Sequence, residues 1–298
     1  MTPRFYGPFV PRRLVQFGFL ALLCLARHGL AQSPEILTSF SILDDWTQRL
    51  VGSAVPHRAL IPANSELHGY QLTVPDAHAL SQAKLIVGLN PAVEPWLADW
   101  VRANHKEGRT LWLAGPRPYD AATDPHEWTD PSRVVLLVER LGAGIGGVFP
   151  GLETQVAQGQ YIKDITALDL ELRSAFATVP PERRAVVTQH PNLGRFAARY
   201  QLRVFGTILE SPAAEAADPS VRRYADLLKL IRDQRVRTVV TDEGQNDAIA
   251  RRLCQDAGIP APVAVSFETL APAGRPGDSW LEMMRLNGRK LREALLRP

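Results

Sequence analysis

The chain has 298 residues, 34 basic and 31 acidic, and two cysteines, a length ample for two lobes with cores of their own. Arg4, Arg12, Arg13 and Arg27 all fall in the first 31 residues, where no acidic residue stands, so 30 basic residues face 31 acidic ones in the remainder and its formal charge is −1. That balance, with no Lys/Arg cluster interleaved with aromatics, argues against a nucleic-acid partner, and Cys254 alone beyond the leader excludes an intramolecular disulfide.

In chain order, residues 1–31 read as a signal peptide. Arg4, Arg12 and Arg13 form its basic region, Leu14 to Leu25 its apolar run, and Gly29-Leu30-Ala31 supplies the small residues that precede cleavage after Ala31. The run is too short for a spanning helix of ~20 residues. Leu23 before Cys24 disfavours lipidation, and the Arg12-Arg13 pair leaves the export route open between Sec and Tat. The expected location is the periplasm.

Residues 32–150 form a first α/β lobe. Thr73 and Asp76 have capping-box spacing ahead of a helix through Ala79, Leu80 and Ala83, which leads to a strand at Leu85-Ile86-Val87-Gly88. A helix over Val93 to Ala103 precedes a strand from Thr110 to Ala114. Strand alternating with helix predicts a parallel sheet covered on both faces. From about Gly151 to Thr178, Ile162, Ile165, Leu168, Leu172 and Phe176 recur at helical spacing, which predicts one long amphipathic helix within residues 151–180 as the only link between lobes. The second α/β lobe, 181–298, takes strands at Ala185–Thr188, Val204–Ile208, Thr238–Thr241 and Val263–Ser266. Its helices are Leu193–Tyr200, Ser220–Gln234, Asp247–Ala257 and Ser279–Leu296, and the loop Ser211–Pro219 reads as a surface excursion. The fold class is thus α/β, two lobes joined by a single long rigid helix.

Six histidines lie beyond the leader, and they divide by context. His78 inside the capped helix and His105 at a polar helix end read as solvated, and His57 at an early strand as structural. His68 opens the loop into the Thr73 helix. His126 sits between two Asp-Pro steps, where Pro125 and Pro131 fix φ and pre-organise the loop. His190 follows the strand Ala185–Thr188. In an open α/β sheet, side chains just beyond the carboxyl ends of strands converge on the ligand crevice; His190, Glu268, Asp242 and Glu243 all satisfy that rule.

These residues stand in ordered motifs: His68-Gly69-Tyr70-Gln71-Leu72-Thr73, Glu94-Pro95-Trp96-Leu97, Asp124-Pro125-His126-Glu127-Trp128-Thr129-Asp130-Pro131, His190-Pro191-Asn192-Leu193-Gly194-Arg195-Phe196, and Glu268-Thr269-Leu270 followed by Asp278-Ser279-Trp280-Leu281-Glu282-Met283-Met284-Arg285-Leu286-Asn287. Over essentially the whole mature chain they resemble the substrate-binding proteins of bacterial zinc/manganese ABC transporters. The departures are Arg195 for the family's aromatic residue and Glu268 for its aspartate. The resemblance implies metal ligands His68, His126, His190 and Glu268, with Asp242 or Glu243 as the fallback fourth ligand. It also implies a membrane permease of a zinc ABC transporter as partner, leaves an accessory metallochaperone open, and suggests a monomer. The histidine-rich acidic loop carried by many zinc-specific members is absent.

Three imidazoles and a carboxylate suit four-coordinate Zn(II), whereas Mn(II) favours more oxygen donors, and manganese members of the family typically carry Glu for the third histidine; the expectation is therefore Zn(II), with Mn(II) less favoured. The alternative is a manganese- or iron-specific protein of the same class. A zinc hydrolase would also use three histidines, but there is no His-Glu-x-x-His helix, and Glu268 would occupy the position an activated water needs. An adhesin-like or metal-sensing surface protein on the same scaffold is the remaining rival. The expected role is binding and delivery without catalysis, with release below about pH 6 because each imidazole must be neutral to ligate.

Overall fold

In the computed structural model of the protein, two four-stranded parallel sheets are built from repeated strand–helix units. It describes Met1 and residues 34–67, 69–115, 124–209 and 219–297. Pro34–Pro298 make one compact unit and Met1–Ser33 another. The expected cleavage point after Ala31 and all but the last residue of the loop Ser211–Pro219 lie outside the described residues.

The first sheet takes β1 (Ile36–Phe40), β2 (His57–Ile61), β3 (Leu85–Gly88) and β4 (Thr110–Trp112) in the order β2-β1-β3-β4. Its helices are α1 (Ser41–Val51), α2 (Val74–Gln82) and α3 (Pro95–Ala103). The two central strands are buried end to end, which is why they read as unbroken apolar runs rather than alternating ones. The capping box at α2 forms as its spacing predicts: Thr73 accepts from the Asp76 amide, and the Asp76 carboxylate accepts from the Thr73 amide at 3.3 Å.

An unforeseen helix, α4 (Pro131–Val148), comes next, N-capped by Asp130, whose carboxylate accepts from the Ser132 amide at 2.9 Å. It packs against the expected linking helix, α5 (Gln155–Ala177). A Cβ at Gly142 would lie 1.8 Å from the Gln158 side-chain oxygen, so a larger residue there would require that side chain to turn aside. The buried stripe of α5 is Tyr161, Ile165, Leu168, Leu172 and Phe176, so Tyr161 takes the place expected of Ile162.

The second sheet repeats the first with β5 (Ala185–Thr188), β6 (Arg203–Thr207), β7 (Thr238–Asp242) and β8 (Val263–Val265) in the order β6-β5-β7-β8. Its helices are α6 (Gly194–Arg199), α7 (Val221–Asp233), α8 (Ala248–Ala257) and α9 (Trp280–Leu296). In each lobe the first strand of the lobe is central, so chain reversal on either side opens a crevice at the strands' carboxyl ends.

α5 links the two lobes, as the periodicity predicts, and tertiary contacts brace the junction beside it. α9 packs along α5, and its first residue donates from the backbone to Asp45 of α1 at 3.1 Å. The Trp280 indole donates to the Trp128 carbonyl at 2.9 Å, and the Trp128 indole donates to the Phe267 carbonyl at 2.5 Å. Phe40, Trp46, Trp128, Phe196, Phe267 and Trp280 are all fully buried and belong to one apolar core drawn from both lobes. Each such side chain contributes roughly 1.5–3 kcal/mol of burial, so the boundary between lobes is a core rather than a hinge gap. No helix among the described residues is long and apolar enough to cross a membrane.

Candidate metal centre

His126 begins the short 3-10 turn Glu127–Thr129 and is 1% exposed. Asp124 holds it twice: Asp124 Oδ1 accepts from the His126 amide at 2.9 Å and from its Nδ1 at 2.7 Å. Thr129 Oγ1 donates to the His126 carbonyl at 2.9 Å, and the imidazole meets the Trp128 ring edge-on at 5.1 Å. The Asp-Pro steps therefore deliver a ring whose orientation is set by its own loop. Burial alone would raise the Asp124 carboxyl, but hydrogen bonds from His126 and the Arg195 amide, with the charge of His126, hold it below the usual carboxylate range.

His190 lies two residues past the end of β5, buried at 3%. Its Nδ1 donates to Asp242 Oδ2 at 2.6 Å, from the end of the neighbouring strand β7. Asn192 donates to Asp242 Oδ1 at 2.8 Å and to Glu268 Oε1 at 3.0 Å. The same Glu268 oxygen lies 3.8 Å from His126 Nε2. Asn192 thus links the His190–Asp242 pair to the Glu268 carboxylate that approaches His126.

The segment carrying Glu268 is tied to the first lobe. Besides the Trp128–Phe267 bond, the Leu270 amide donates to Ser41 Oγ at 3.3 Å and the Asn64 amide donates to the Leu270 carbonyl at 2.9 Å. Sequence reading placed Glu268 at the end of β8 as a contribution of the second lobe. Its loop is held by both.

Of the residues singled out from the sequence, the structure brings together His126, His190, Glu268 and Asp242. His68 lies outside the described residues, and among the described residues no group of three or more His, Cys, Asp or Glu side chains has metal-binding geometry. Its neighbour Tyr70 donates to Asp76 at 2.7 Å and packs edge-on against Trp96 at 4.8 Å. Asp242 holds His190, and Glu243 pairs with Lys290 at 2.8 Å. His57 is engaged structurally, with Nδ1 on Asp44 at 2.7 Å and Nε2 on Gln48 at 2.8 Å.

Sequence reading missed the orienting groups. Asp124 was visible only as part of a rigid loop, although its position two residues before His126 is the local signal for an Asx-type bond. Asn192 and Arg195 carry no signal of contact with residues 70 or more positions away. Glu94 is a further buried group: its carboxylate accepts from Ser39 Oγ at 2.6 Å and from the Leu89 and Asn90 amides at 2.9 Å each, tying β1 to the end of β3. Burial pushes it up to about 7 despite those three donors.

Two α/β lobes, with a buried aspartate-held histidine beyond β5 in the second and another in the loop before α4 of the first, have the architecture of a solute-binding protein. The family model described as zinc-uptake complex component A, periplasmic (ZnuA) matches residues 36–294, and the chain belongs to that family. It is accordingly an exported metal-binding component of an ABC-type metal transporter that pairs with a permease, and it is not an enzyme.

The manganese ABC transporter substrate-binding lipoprotein scaA of Streptococcus gordonii is 23% identical over 93% of this chain and 98% of its own. The fold also matches the Mn-bound periplasmic metal-binding protein of candidatus Liberibacter asiaticus, with TM-score 0.76 and 20% identity over 88% of this chain and 99% of that one. It matches the periplasmic zinc-binding protein TroA of Treponema pallidum, with TM-score 0.78 and 20% identity over 89% and 100%. These likenesses correct the ranking of Zn(II) above Mn(II), because proteins named for manganese or holding it stand as near to this chain as one named for zinc. The physical reason is that counting imidazoles under-weights the oxygen donors, and a donor set that mixes imidazoles with a carboxylate does not select between the ions by donor type alone.

Proposed function

We propose that the chain captures a divalent first-row transition-metal ion between its lobes, with Mn(II) on an equal footing with Zn(II), and delivers it to its membrane permease. His126, His190 and Glu268 are its ligands, and His68 is the fourth. The observation that carries this reading is the pairing of each buried histidine with an aspartate through Nδ1, Asp124 for His126 and Asp242 for His190. A metal-ligating histidine characteristically donates its other ring nitrogen to a carboxylate, which fixes the tautomer and raises ligand basicity. With Nδ1 so used, Nε2 is the ligating atom in both. The Glu268 carboxylate supplies negative charge and oxygen, and Asn192 orients it.

The leader is proposed to be removed after Ala31, leaving lobes at 32–150 and 181–298 with the linking segment 151–180. Equilibrium dialysis against equimolar Mn(II), Zn(II) and Fe(II), followed by elemental analysis, tests the function. Retention of one equivalent of metal is expected. No retention would sink the proposal, and retention undiminished in both His126→Ala and His190→Ala would sink the ligand set.

A further inference from the structure

Arg195 lies at the start of α6, five residues beyond His190, where the family pattern has an aromatic residue. Its amide donates to Asp124 Oδ2 at 2.9 Å and its Nε donates to the Asp124 carbonyl at 2.6 Å. Its guanidinium also lies 3.6 Å from Glu127 Oε1, a carboxylate only 3% exposed that Arg133 pairs with at 2.9 Å from the loop's own lobe. One helical turn later, Arg199 lies 3.5 Å from Asp130 and pairs with Asp169 of α5 at 2.6 Å. The loop around His126 thus offers Asp124, Glu127 and Asp130, and a single face of α6 meets all three with arginines at i and i+4. Asp124 is shared: one oxygen orients the His126 imidazole and the other is held by the opposite lobe.

We infer that Arg195 is a positioning residue for metal binding, clasping the Asp124–Asp130 loop of the first lobe to α6, the helix that follows the His190 segment in the second, so that the two histidines keep a common geometry before metal arrives. This rests on the reading of His126 and His190 as ligands. Arginine suits the task because its planar fork reaches a carbonyl and a carboxylate at once, which an ammonium cannot do. Half-burial of the pairs, with side chains at 20% for Arg195 and Asp124, keeps solvent from screening them fully.

The test compares wild type, Arg195→Phe and Arg195→Lys in two measurements: hydrogen exchange on the metal-free full chain, and chelator-driven release of Zn(II) and Mn(II) from the loaded protein. Arg195→Phe should exchange faster specifically at residues 124–131 and 190–200 and release either ion about tenfold faster, with Arg195→Lys in between. Unchanged exchange in Arg195→Phe overturns the clasp whatever the release rate does. Faster exchange throughout the second lobe also overturns it, since that is a packing defect. If wild type retains neither ion the ligand reading fails, and the exchange measurement still decides the clasp.

Discussion

The indole of Trp128 donates to the backbone carbonyl of Phe267 across the lobe boundary, one residue from the Glu268 carboxylate and two from His126. That bond joins the two segments whose side chains approach at 3.8 Å in the site. It makes the aromatic core between the lobes and the geometry of the crevice one mechanical unit. Trp128→Phe removes the donor, strands a buried carbonyl and opens space beside Phe40. The expected loss is about 2–4 kcal/mol of stability, read as a lower urea midpoint with an unchanged slope, together with faster metal release.

In the proposed site, the Asp242–His190 pair separates an orienting carboxylate from a ligand. Asp242→Asn keeps the size but removes the charge that holds the Nδ1 proton, and the metal Kd should rise about 10- to 100-fold with the thermal midpoint nearly unchanged. Glu243→Gln, beside it in sequence but paired to Lys290, should leave the Kd as in wild type. Calorimetric titration with Mn(II) and with Zn(II) checks both. Equal losses in the two variants would contradict the assignment of their roles.

Glu94 gives the fold a pH dependence of its own. Its folded-state value near 7 exceeds the ordinary value of 4.5, so the native state holds the proton more tightly than the unfolded chain. Its stabilising effect is complete below about 4.5 and is lost as pH rises through about 7, amounting to about 3 kcal/mol across that window. Glu94→Gln should flatten this part of the stability–pH curve even if its absolute stability is lower, because the amide offers the Asn90 amide a donor where an acceptor stood. Urea unfolding at half-unit pH steps between 4.5 and 7.5 measures the slope. Parallel curves for the two proteins would refute the assignment.

Gly194 is required by contact rather than by backbone conformation. A Cβ there would stand 2.7 Å from Asp124 Oδ2, and Asp124 has little freedom to yield, being held by His126 and Arg195. Gly194→Ala should cost about 1–3 kcal/mol and loosen the His126 loop, visible as faster hydrogen exchange at residues 124–131.

Much of the fold is legible in the order of residues because its determinants are local. Apolar runs bounded by turns mark the strands, and β5, β7 and β8 fall within a residue of expectation. The Thr73–Asp76 box needs only its own four residues. The helix α4 was missed because its apolar positions are interrupted by glycines at 142, 144, 146 and 147, which weaken helical propensity until packing on α5 supplies the stabilisation.

The sequence by itself determined the alternation that builds two parallel sheets, the rigid loop around His126 and the position of His190 beyond a strand end. These follow from backbone preferences and periodicity within a few residues. Only the tertiary structure decided that Asp242 holds His190, that Asn192 aims Glu268, that the Glu268 loop is bound to both lobes and that Arg195 grips Asp124. Each joins residues 50 or more positions apart, and hydrogen bonds of that span exist only once sheet order and aromatic packing have brought the partners within 3 Å or so.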